Sequence, residues 1–288
     1  MIKAKKSLGQ NFLIDNKILN QIVNCVEIEN KNILEIGPGT GNLTKYILNK
    51  KPKKFTIIEK DSYLISGLKE KFKENINIIN DDILNIDESS LFKERAIVFG
   101  NLPYNISTEI LSKWIINLKN EFWFDCLVLM FQKEVADRIL AQTNHKEYGR
   151  LSILSSWKLN VTKIKDINPG SFYPKPKVKS SILLIEPKEN IFKINNPKNL
   201  EHITNVFFSQ KRKMMSLCSG MHEFCWNVDF TEEVVFCASG PLNDPELGCL
   251  RKREVKGAEV CTDGIQFLFD DILQPPQTTN GIQMRPRL

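Results

Sequence analysis

The sequence predicts an α/β fold in which a largely parallel sheet carries helices on both faces. Two observations predict it. Short apolar runs alternate with stretches of helical period from about residue 30 to about residue 140. A glycine-rich segment also joins the first of these runs to the helix that follows it. Because parallel strands need a crossover between them, this order favours helices on both faces of one sheet.

The elements follow one another with few ambiguities. A helix is predicted over Asp15–Val26, where Ile18, Leu19 and Ile22 form an apolar stripe. Five strands are predicted at Asn32–Ile36, Lys54–Ile58, Ile76–Ile79, Ala96–Phe99 and Leu127–Phe131. Helices are predicted near Asn42–Leu48, Ser62–Phe72, Ser107–Leu118 and Lys133–Leu140. The later runs Ser155–Val161 and Ser180–Ile185 lack a clear helix between them, so we expect them to close the sheet as an antiparallel pair.

Composition divides the chain near residue 217. The net charge is +6, but residues 217–288 balance to −5 and residues 1–216 to +11. Five of the seven cysteines and only 2 of the 32 lysines follow residue 216, so this segment has a different origin or constraint. We predict one α/β domain over residues 1–186, the start of a small helical domain over 187–216, and an atypical acidic, cysteine-rich tail over 217–288.

Composition and charge exclude several classes of protein. With 42% hydrophobic and 26% charged residues, the chain is neither a disordered chain nor a collagen nor a small disulfide scaffold. No apolar run approaches the roughly 18 residues of a membrane helix, and residues 1–15 lack the apolar core of a signal peptide. We expect a cytoplasmic protein, or one of an organelle matrix or stroma, without a membrane partner. The basic first three quarters indicate a polyanionic partner.

The cysteines do not predict a metal site. Cys237, Cys249 and Cys261 are evenly spaced, but no Cys-x-x-Cys pair occurs, and zinc ligands normally come in close pairs. His222 and Cys225 would form one such pair without a second. We expect free thiols in a reducing compartment and no metal.

Acidic residues follow successive predicted strands beside the glycine-rich segment. The segment Glu35–Gly41 has the pattern GxGxG, and Pro38 removes an amide that a phosphate would need. Glu59 ends the second strand, where a carboxylate suits the two hydroxyls of a ribose. Asp82 follows the third strand and could accept a hydrogen bond from an adenine amino group. Together, Glu35, Glu59 and Asp82 favour the binding of a cationic ligand that contains adenosine. S-adenosylmethionine fits this description.

The fourth strand ends in the most specific segment of the chain, Asn101-Leu102-Pro103-Tyr104. An exocyclic amine of a base is a poor nucleophile because its lone pair is delocalised into the ring. The Asn101 side-chain oxygen and the Leu102 carbonyl could accept hydrogen bonds from such an amine, while Tyr104 stacks on the base. Pro103 stiffens the turn. Methyl transfer would then depend on positioning and electrostatics, without a strong general base.

Several further segments, in order, resemble those of KsgA-type small-subunit rRNA adenine-N6 dimethyltransferases over about residues 3–215. The matching segments are KSLGQNFL at 6–13, EIGPGTGNLT at 35–44, IIEKD at 57–61, Asp82, NLPYNIST at 101–108, FQKEVADRI at 131–139, YGRLSIL at 148–154, FYPKPKVKSSI at 172–182 and FFSQKRKMM at 207–215. The resemblance implies that residues 1–186 are a Rossmann-like methyltransferase domain that uses S-adenosylmethionine. The tail over 217–288 does not match this family.

The resemblance also implies roles for individual residues. Asn11 and Leu13 would cover the cofactor, and it would be contacted by Gly37, Glu59, Asp82 and Asn101. Asn101 and Tyr104 would hold the target adenine, and Phe172 would stack on its other face, although a core aromatic is the reading that the residues alone favour. Two adjacent adenines of a small-subunit rRNA hairpin loop would each receive two methyl groups, within a pre-ribosomal particle and by a monomer. RNA-binding lysines would be Lys3, Lys5, Lys6, Lys175, Lys177, Lys179, Lys211 and Lys213.

Three alternatives remain open from the sequence. A non-catalytic nucleic-acid-binding or ribosome-assembly factor could keep the same fold. An Erm-like enzyme would act on large-subunit rRNA. A nicotinamide-dependent oxidoreductase is disfavoured, since the glycine pattern is GxGxG and not GxGxxG.

Overall fold

The computed structural model describes residues 4–5, 8–72, 75–118, 122–143, 145–191, 194 and 196–209. The chain divides into two units after Lys188. The strands of the first unit are β1 (Phe12–Leu13), β2 (Asn32–Ile36), β3 (Lys54–Ile58), β4 (Asn77–Ile79), β5 (Ala96–Asn101), β6 (Phe124–Gln132), β7 (Leu159–Ile167), β8 (Phe172–Tyr173) and β9 (Ser180–Pro187). Its helices are α1 (Asn16–Val23), α2 (Asn42–Leu48), α3 (Ser62–Phe72), α4 (Ser107–Asn117), α5 (Lys133–Leu140) and α6 (Arg150–Lys158).

The main sheet confirms the predicted α/β class. Its strand order is β4-β3-β2-β5-β6-β9-β7, and the first five of these strands pair in parallel. Every residue of β2 is buried, because helices cover both faces of a parallel sheet. The predicted antiparallel closure is also confirmed, since β9 pairs antiparallel with both β6 and β7.

One predicted strand is wrong at its start. The sequence favours a strand over Ser155–Val161, but residues up to Lys158 complete α6 and β7 begins only at Leu159. The buried side chains of α6 include Ile153, Leu154 and Trp157. Their spacing of three and four residues is helical, and small serines between them mask that period in a short window.

The arm at the amino terminus is attached to the sheet domain by its own short pairing. β1 and β8 form a separate two-stranded antiparallel sheet, with Phe12 opposite Tyr173 and Leu13 opposite Phe172. Asp15 then caps α1 by accepting hydrogen bonds from the amides of Lys17 and Ile18. The arm is thereby held over the sheet before the first helix begins.

The second unit contains α7 (Pro197–Ser209) within the described residues. This helix lies within the region 187–216, where the sequence predicts the start of a small helical domain, and the residues after Ser209 lie outside the described part of the chain. The tail over 217–288 lies outside it as well. Over the described residues, no helix combines the length and the apolar character that crossing a membrane requires.

Candidate active site

A pocket opens at the carboxyl ends of β2, β3 and β5, where ligands bind in open parallel sheets. It is lined by the glycine-rich segment, by the ends of β3 and β4, by the turn after β5, and by the arm over residues 8–13. The sequence-predicted cofactor residues and the turn that begins at Asn101 therefore share one cavity.

The glycine-rich segment packs so closely against neighbouring aromatic rings that two of its glycines have no room for a side chain. Gly39 has a φ of +58°, and a Cβ there would lie 2.7 Å from the ring of Phe12. Gly41, the residue before α2, has a φ of +77°, and a Cβ there would lie 2.5 Å from the ring of Phe72. Both residues need the left-handed backbone and the empty space that only glycine provides. Gly37, the first glycine of the pattern, also lines the pocket, and its contact with the cofactor stays a prediction.

Glu59 is buried at the end of β3 and held by two backbone amides. The amide of Gly39 donates to Oε2 at 3.1 Å and that of Asp61 to Oε1 at 2.9 Å. Burial raises the pKa of Glu59 against the opposing effect of these two hydrogen bonds. Each carboxylate oxygen keeps a further lone pair, so the pair of oxygens can accept from two neighbouring hydroxyls.

Asp82 lies at the end of the loop after β4 and caps a short 3-10 helix, Ile83–Asn85. Its Oδ1 accepts from the amide of Leu84 at 3.1 Å, and its Oδ2 accepts from the Lys60 ammonium at 2.6 Å. Burial opposes ionisation, but these hydrogen bonds and the charge of Lys60 outweigh it and hold the pKa of Asp82 below its ordinary value. Asp82 is therefore an ionised hydrogen-bond acceptor at the pocket.

The sequence predicts Glu35 as a third negative charge at the pocket, but its surroundings in the fold favour the neutral carboxyl group. It is buried beneath the glycine-rich segment, and Thr44 donates to its Oε2 at 2.7 Å. Burial, reinforced by the neighbouring charge of Glu59, raises the pKa of Glu35 to about 8 despite the hydrogen bond from Thr44. Its carboxyl group is mostly protonated at neutral pH, so Glu35 adds little negative charge to the pocket.

The turn that follows β5 presents Asn101 in a defined orientation. Its Nδ2 donates to the backbone carbonyl of Asn11 at 2.7 Å. A carbonyl can only accept, so the nitrogen of the amide is the atom that faces the arm. The side-chain oxygen is then the atom left to accept a hydrogen bond from a ligand, as the predicted role of Asn101 requires.

The hydroxyl group of Tyr104 is held by β9, one of the antiparallel strands of the sheet. Its hydroxyl lies 2.7 Å from the hydroxyl of Ser180, the first residue of β9. Burial raises the pKa of Tyr104, so the phenol stays neutral and its ring is the part that can stack on a base. Ser180 carries no signal in the sequence for this role, since it is distant along the chain and comes close only in the fold.

Leu102 anchors the same turn through its side chain. It is buried, and a Cβ on Gly100 would lie 2.9 Å from its Cδ2. The backbone of the turn is thereby fixed between two packed positions. The predicted use of the Leu102 carbonyl as an acceptor for the amine stays a prediction.

The arm forms one wall of the pocket through Asn11 and Leu13, both of which line it. The Asn11 side chain donates to the carbonyl of Gly9 at 3.1 Å, which shapes the arm. The carbonyl of Leu13 accepts from the side chain of Asn42 at 2.8 Å, which ties the arm to the start of α2. The role of Asn11 and Leu13 as a cover for the cofactor stays a prediction.

A second connection holds the arm to α3 and was not predicted from the sequence. Asp61 is almost fully buried, and it accepts from Lys5 Nζ at 2.6 Å and from Gln10 Nε2 at 3.0 Å. Burial would raise the pKa of Asp61, but the hydrogen bonds from Lys5 and Gln10 outweigh it and lower the pKa. Lys5, which the sequence assigns to RNA, is thus engaged by Asp61.

Phe172 lies away from the pocket lining. Its side chain is only 3% exposed and packs in the core that also holds Phe12 and Leu13. The next residue, Tyr173, is 50% exposed. A base could meet Phe172 only after the aromatic ring leaves this core, so the stacking role assigned to Phe172 stays a prediction.

The basic residues assigned to RNA are only partly described. Lys175, Lys177 and Lys179 are exposed on the segment between β8 and β9. Lys3, Lys6, Lys211 and Lys213 lie outside the described residues. So do the tail cysteines and His222. Within the described part of the chain, no three His, Cys, Asp or Glu side chains come together as a metal-binding group.

The sheet order, the glycine-rich segment after β2, the carboxylates at the next two strand ends and the Asn-Leu-Pro-Tyr turn after β5 define a Rossmann-like methyltransferase fold. The family model of ribosomal RNA adenine dimethylases matches residues 1–223. The chain therefore belongs to the ribosomal RNA adenine dimethylase family. The match extends slightly beyond residue 215 and leaves most of the atypical tail uncovered.

Individual relatives and structures agree with this membership. A ribosomal RNA small subunit methyltransferase A from Pelagibacter ubique is 66% identical over 214 residues, which cover 74% of this chain and 82% of the relative. One from Wolbachia pipientis subsp. Culex pipiens is 42% identical, covering 75% and 82%. A dimethyladenosine transferase from Plasmodium falciparum has a TM-score of 0.61 and 35% identity, covering 70% of this chain and 72% of that one. A 23S rRNA methyltransferase shares the fold, with a TM-score of 0.55, 24% identity and coverage of 69% and 80%.

Proposed function

We propose that this chain transfers methyl groups from S-adenosylmethionine to N6 of adenines in small-subunit rRNA. The observation that carries the proposal is the Asn101–Tyr104 turn, which presents an oriented amide oxygen and an aromatic ring in the same pocket as Glu59 and Asp82. Family membership and the names of the relatives support the choice of adenine and of the small subunit.

The lining of the pocket fits S-adenosylmethionine better than a phosphorylated cofactor. Among the described lining residues the acids are Glu35, Glu59, Asp81 and Asp82, and Lys60 is the only lysine or arginine. A pyrophosphate would need several donors or a free helix amino end, and Pro38 removes one amide of the loop. Glu59 would hold the ribose hydroxyls and Asp82 the adenine amino group. Asn11, Leu13 and Gly37 would enclose the remainder of the cofactor.

The chain's own residues supply position and electrostatics for the reaction. The Asn101 oxygen and the Leu102 carbonyl would accept the two N6 hydrogens of the target adenine, which turns its lone pair toward the pocket. Tyr104 would stack on the base and exclude water from one face. When bound, the cofactor supplies an electrophilic methyl whose bond to sulfur breaks, with its electron pair kept by sulfur, as the bond to N6 forms. The proton that N6 then loses would pass through these acceptors to solvent.

The finer features of the substrate are proposed with the function. The target is two adjacent adenines of a small-subunit rRNA hairpin loop, each dimethylated, within a pre-ribosomal particle. A loop base is already unpaired at low cost and can be turned into a pocket. The exposed Lys175, Lys177 and Lys179 would contact phosphates and make binding weaken with salt. The enzyme would act as a cytoplasmic monomer.

The test is transfer of radiolabelled methyl from S-adenosylmethionine to separated particles. Unmodified small subunits, large subunits and duplex DNA are run side by side with the wild type and with Asn101→Ala. Label in small-subunit rRNA alone, recovered as N6-dimethyladenosine and lost in the variant, is the expected result. Label in large subunits would instead support the Erm-like alternative. Absence of label from protein that binds the cofactor would support a non-catalytic assembly factor.

A further inference from the structure

The loop that carries Asp82 is attached to α4 by one lysine. Lys113 Nζ donates to the carbonyl of Ile83 at 2.9 Å, to the carbonyl of Ile86 at 2.6 Å and to Glu88 Oε1 at 3.0 Å. An ammonium has three N–H donors, so all three are used on this single loop. The first of these contacts lies one residue from Asp82.

Glu88 completes the attachment from the loop side. Its carboxylate is buried, and its Oε1 accepts both from Lys113 and from the indole Nε1 of Trp114 at 2.8 Å. Trp114 is itself buried. A buried carboxylate with two such donors has little freedom to move, since either lost contact would leave a polar group unsatisfied. We define the Lys113 clamp as Lys113, Glu88 and Trp114.

The helix that bears the clamp also begins at the Asn101–Tyr104 turn. α4 starts at Ser107, whose amide donates to the carbonyl of Pro103 at 3.0 Å. One rigid helix therefore carries the turn for the target adenine at its amino end and holds the Asp82 loop through its middle. The distance between Asp82 and Asn101 depends on this helix.

We infer that Lys113 and Glu88 are positioning residues that hold the Asp82 loop against α4 and thereby set the recognition of the cofactor's adenine. The inference rests on the proposed function, because it takes Asp82 as the acceptor for the adenine amino group. Neither residue lines the pocket itself: Lys113 reaches it through the backbone carbonyl of Ile83, which does line it, and Glu88 acts by holding Lys113.

A buried lysine at the end of α6, which contacts the same helix α4, provides a matched control. Lys158 is buried, and its Nζ donates to the carbonyls of Ile115 at 2.9 Å and Leu118 at 2.8 Å, at the carboxyl end of α4. Like Lys113, it donates hydrogen bonds from its ammonium group to two backbone carbonyls. Its contacts lie at the other end of the helix from the Asn101 turn, so its loss should lower stability without moving Asp82.

The experiment measures dissociation constants of full-length protein for S-adenosylhomocysteine and for S-inosylhomocysteine. The second ligand has an oxygen where adenine has its amino group, so it repels an ionised Asp82. The wild type should prefer the adenosine ligand by about tenfold or more, the usual value of a hydrogen bond to a charged group. Lys113→Met removes the charge and the donors at similar length, and should bring this preference close to unity. Lys158→Met should keep it.

Two variants of Glu88 test the same clamp while Lys113 stays unchanged. Glu88→Gln keeps an acceptor oxygen for Trp114 and should retain most of the preference, whereas Glu88→Ala should lose it. Unchanged preference in Lys113→Met, or equal loss of affinity for both ligands, would overturn the inference while leaving the proposed function intact. A wild type that shows no preference for the adenosine ligand would overturn the role of Asp82 and the inference together.

Discussion

The two ends of the pocket hold their functional groups in different ways. At the acceptor end, Asn101 and Tyr104 are each fixed through one atom, and the opposite atom or the ring face is left for a ligand. At the adenosyl end, both oxygens of Glu59 and of Asp82 already accept hydrogen bonds from the chain. The acceptor end is oriented for a reacting group, and the adenosyl end is a rigid pair of carboxylates for binding. Changes at the two ends should therefore alter different measured quantities.

The largest effect is expected at the acceptor end, from Asn101→Ala. The variant loses the oxygen that would accept from the target amine and the nitrogen that binds the carbonyl of Asn11. Removal of one preorganised transition-state contact costs about 100-fold in rate or more. We expect the methyl-transfer rate at saturating cofactor to fall by about that factor, with a much smaller change in cofactor affinity. Single-turnover transfer to unmodified small subunits measures the rate, and an unchanged thermal midpoint shows that the fold is intact.

Glu59→Gln tests the adenosyl end, with the next largest effect. Glutamine must direct its NH₂ group at the amide of Gly39 or of Asp61, each of which already donates to Glu59. We expect affinity for S-adenosylhomocysteine to fall by about tenfold or more, the cost of a lost hydrogen bond to a charged group. Titration calorimetry measures it. Glu94→Ala, at an exposed glutamate just before β5, should bind normally. Equal affinity in the Glu59 variant and the wild type would contradict the proposed ribose contact.

A smaller effect is expected where the arm meets α3. Lys5→Met and Asp61→Asn each remove the ion pair that holds the arm near the pocket. Lys5 is half exposed, so solvent weakens the pair, and we expect each variant to raise the KM for S-adenosylmethionine by only about threefold. The double variant should lose no more than Asp61→Asn alone, because that variant already removes the contact with Lys5. Additive losses would mean that the two residues act separately.

The smallest effect on activity is expected at Glu35, which belongs to neither end and acts on stability instead. Its pKa is raised from 4.5 to about 8, so the folded state binds a proton that the unfolded state releases between these values. The free energy of unfolding should therefore decrease as pH rises from about 4.5 to 8. Glu35→Gln imitates the protonated acid and should flatten this dependence. Denaturant melts at several pH values measure it, and an equally steep decrease in the variant would assign the proton to another group.

The sequence predicts most of the fold because periodic apolar patterns mark most strands and helices. The predicted bounds of β2, β3, α2, α3 and α5 coincide with the structure. It predicts the pocket because Gly37, Glu59, Asp82 and Asn101 follow successive strands, whose ends meet at one edge of the sheet. The Ser155–Val161 strand fails because a short apolar run with intervening serines fits either period.

The contacts that hold the site could not be predicted in the same way. Lys113 reads as a solvated lysine on a helix, and Glu88 as a loop residue. Their contact depends on how the loop after β4 packs against α4, which no local pattern records. The same holds for Ser180 beneath Tyr104. Asp61 lies in a recognised segment, but only the fold shows that Lys5 and Gln10 bind to it.

One paired measurement tests most directly whether the two ends of the pocket control different quantities, rate at one end and cofactor affinity at the other. The dissociation constant for S-adenosylhomocysteine and the rate of methyl transfer at saturating cofactor are determined for Asn101→Ala and Asp82→Ala in parallel. We expect the Asn101 variant to lose rate by a far larger factor than affinity, and the Asp82 variant to lose affinity by a larger factor than rate. Loss of the same quantity in both variants would contradict the account, because the two ends would then act as one undivided site.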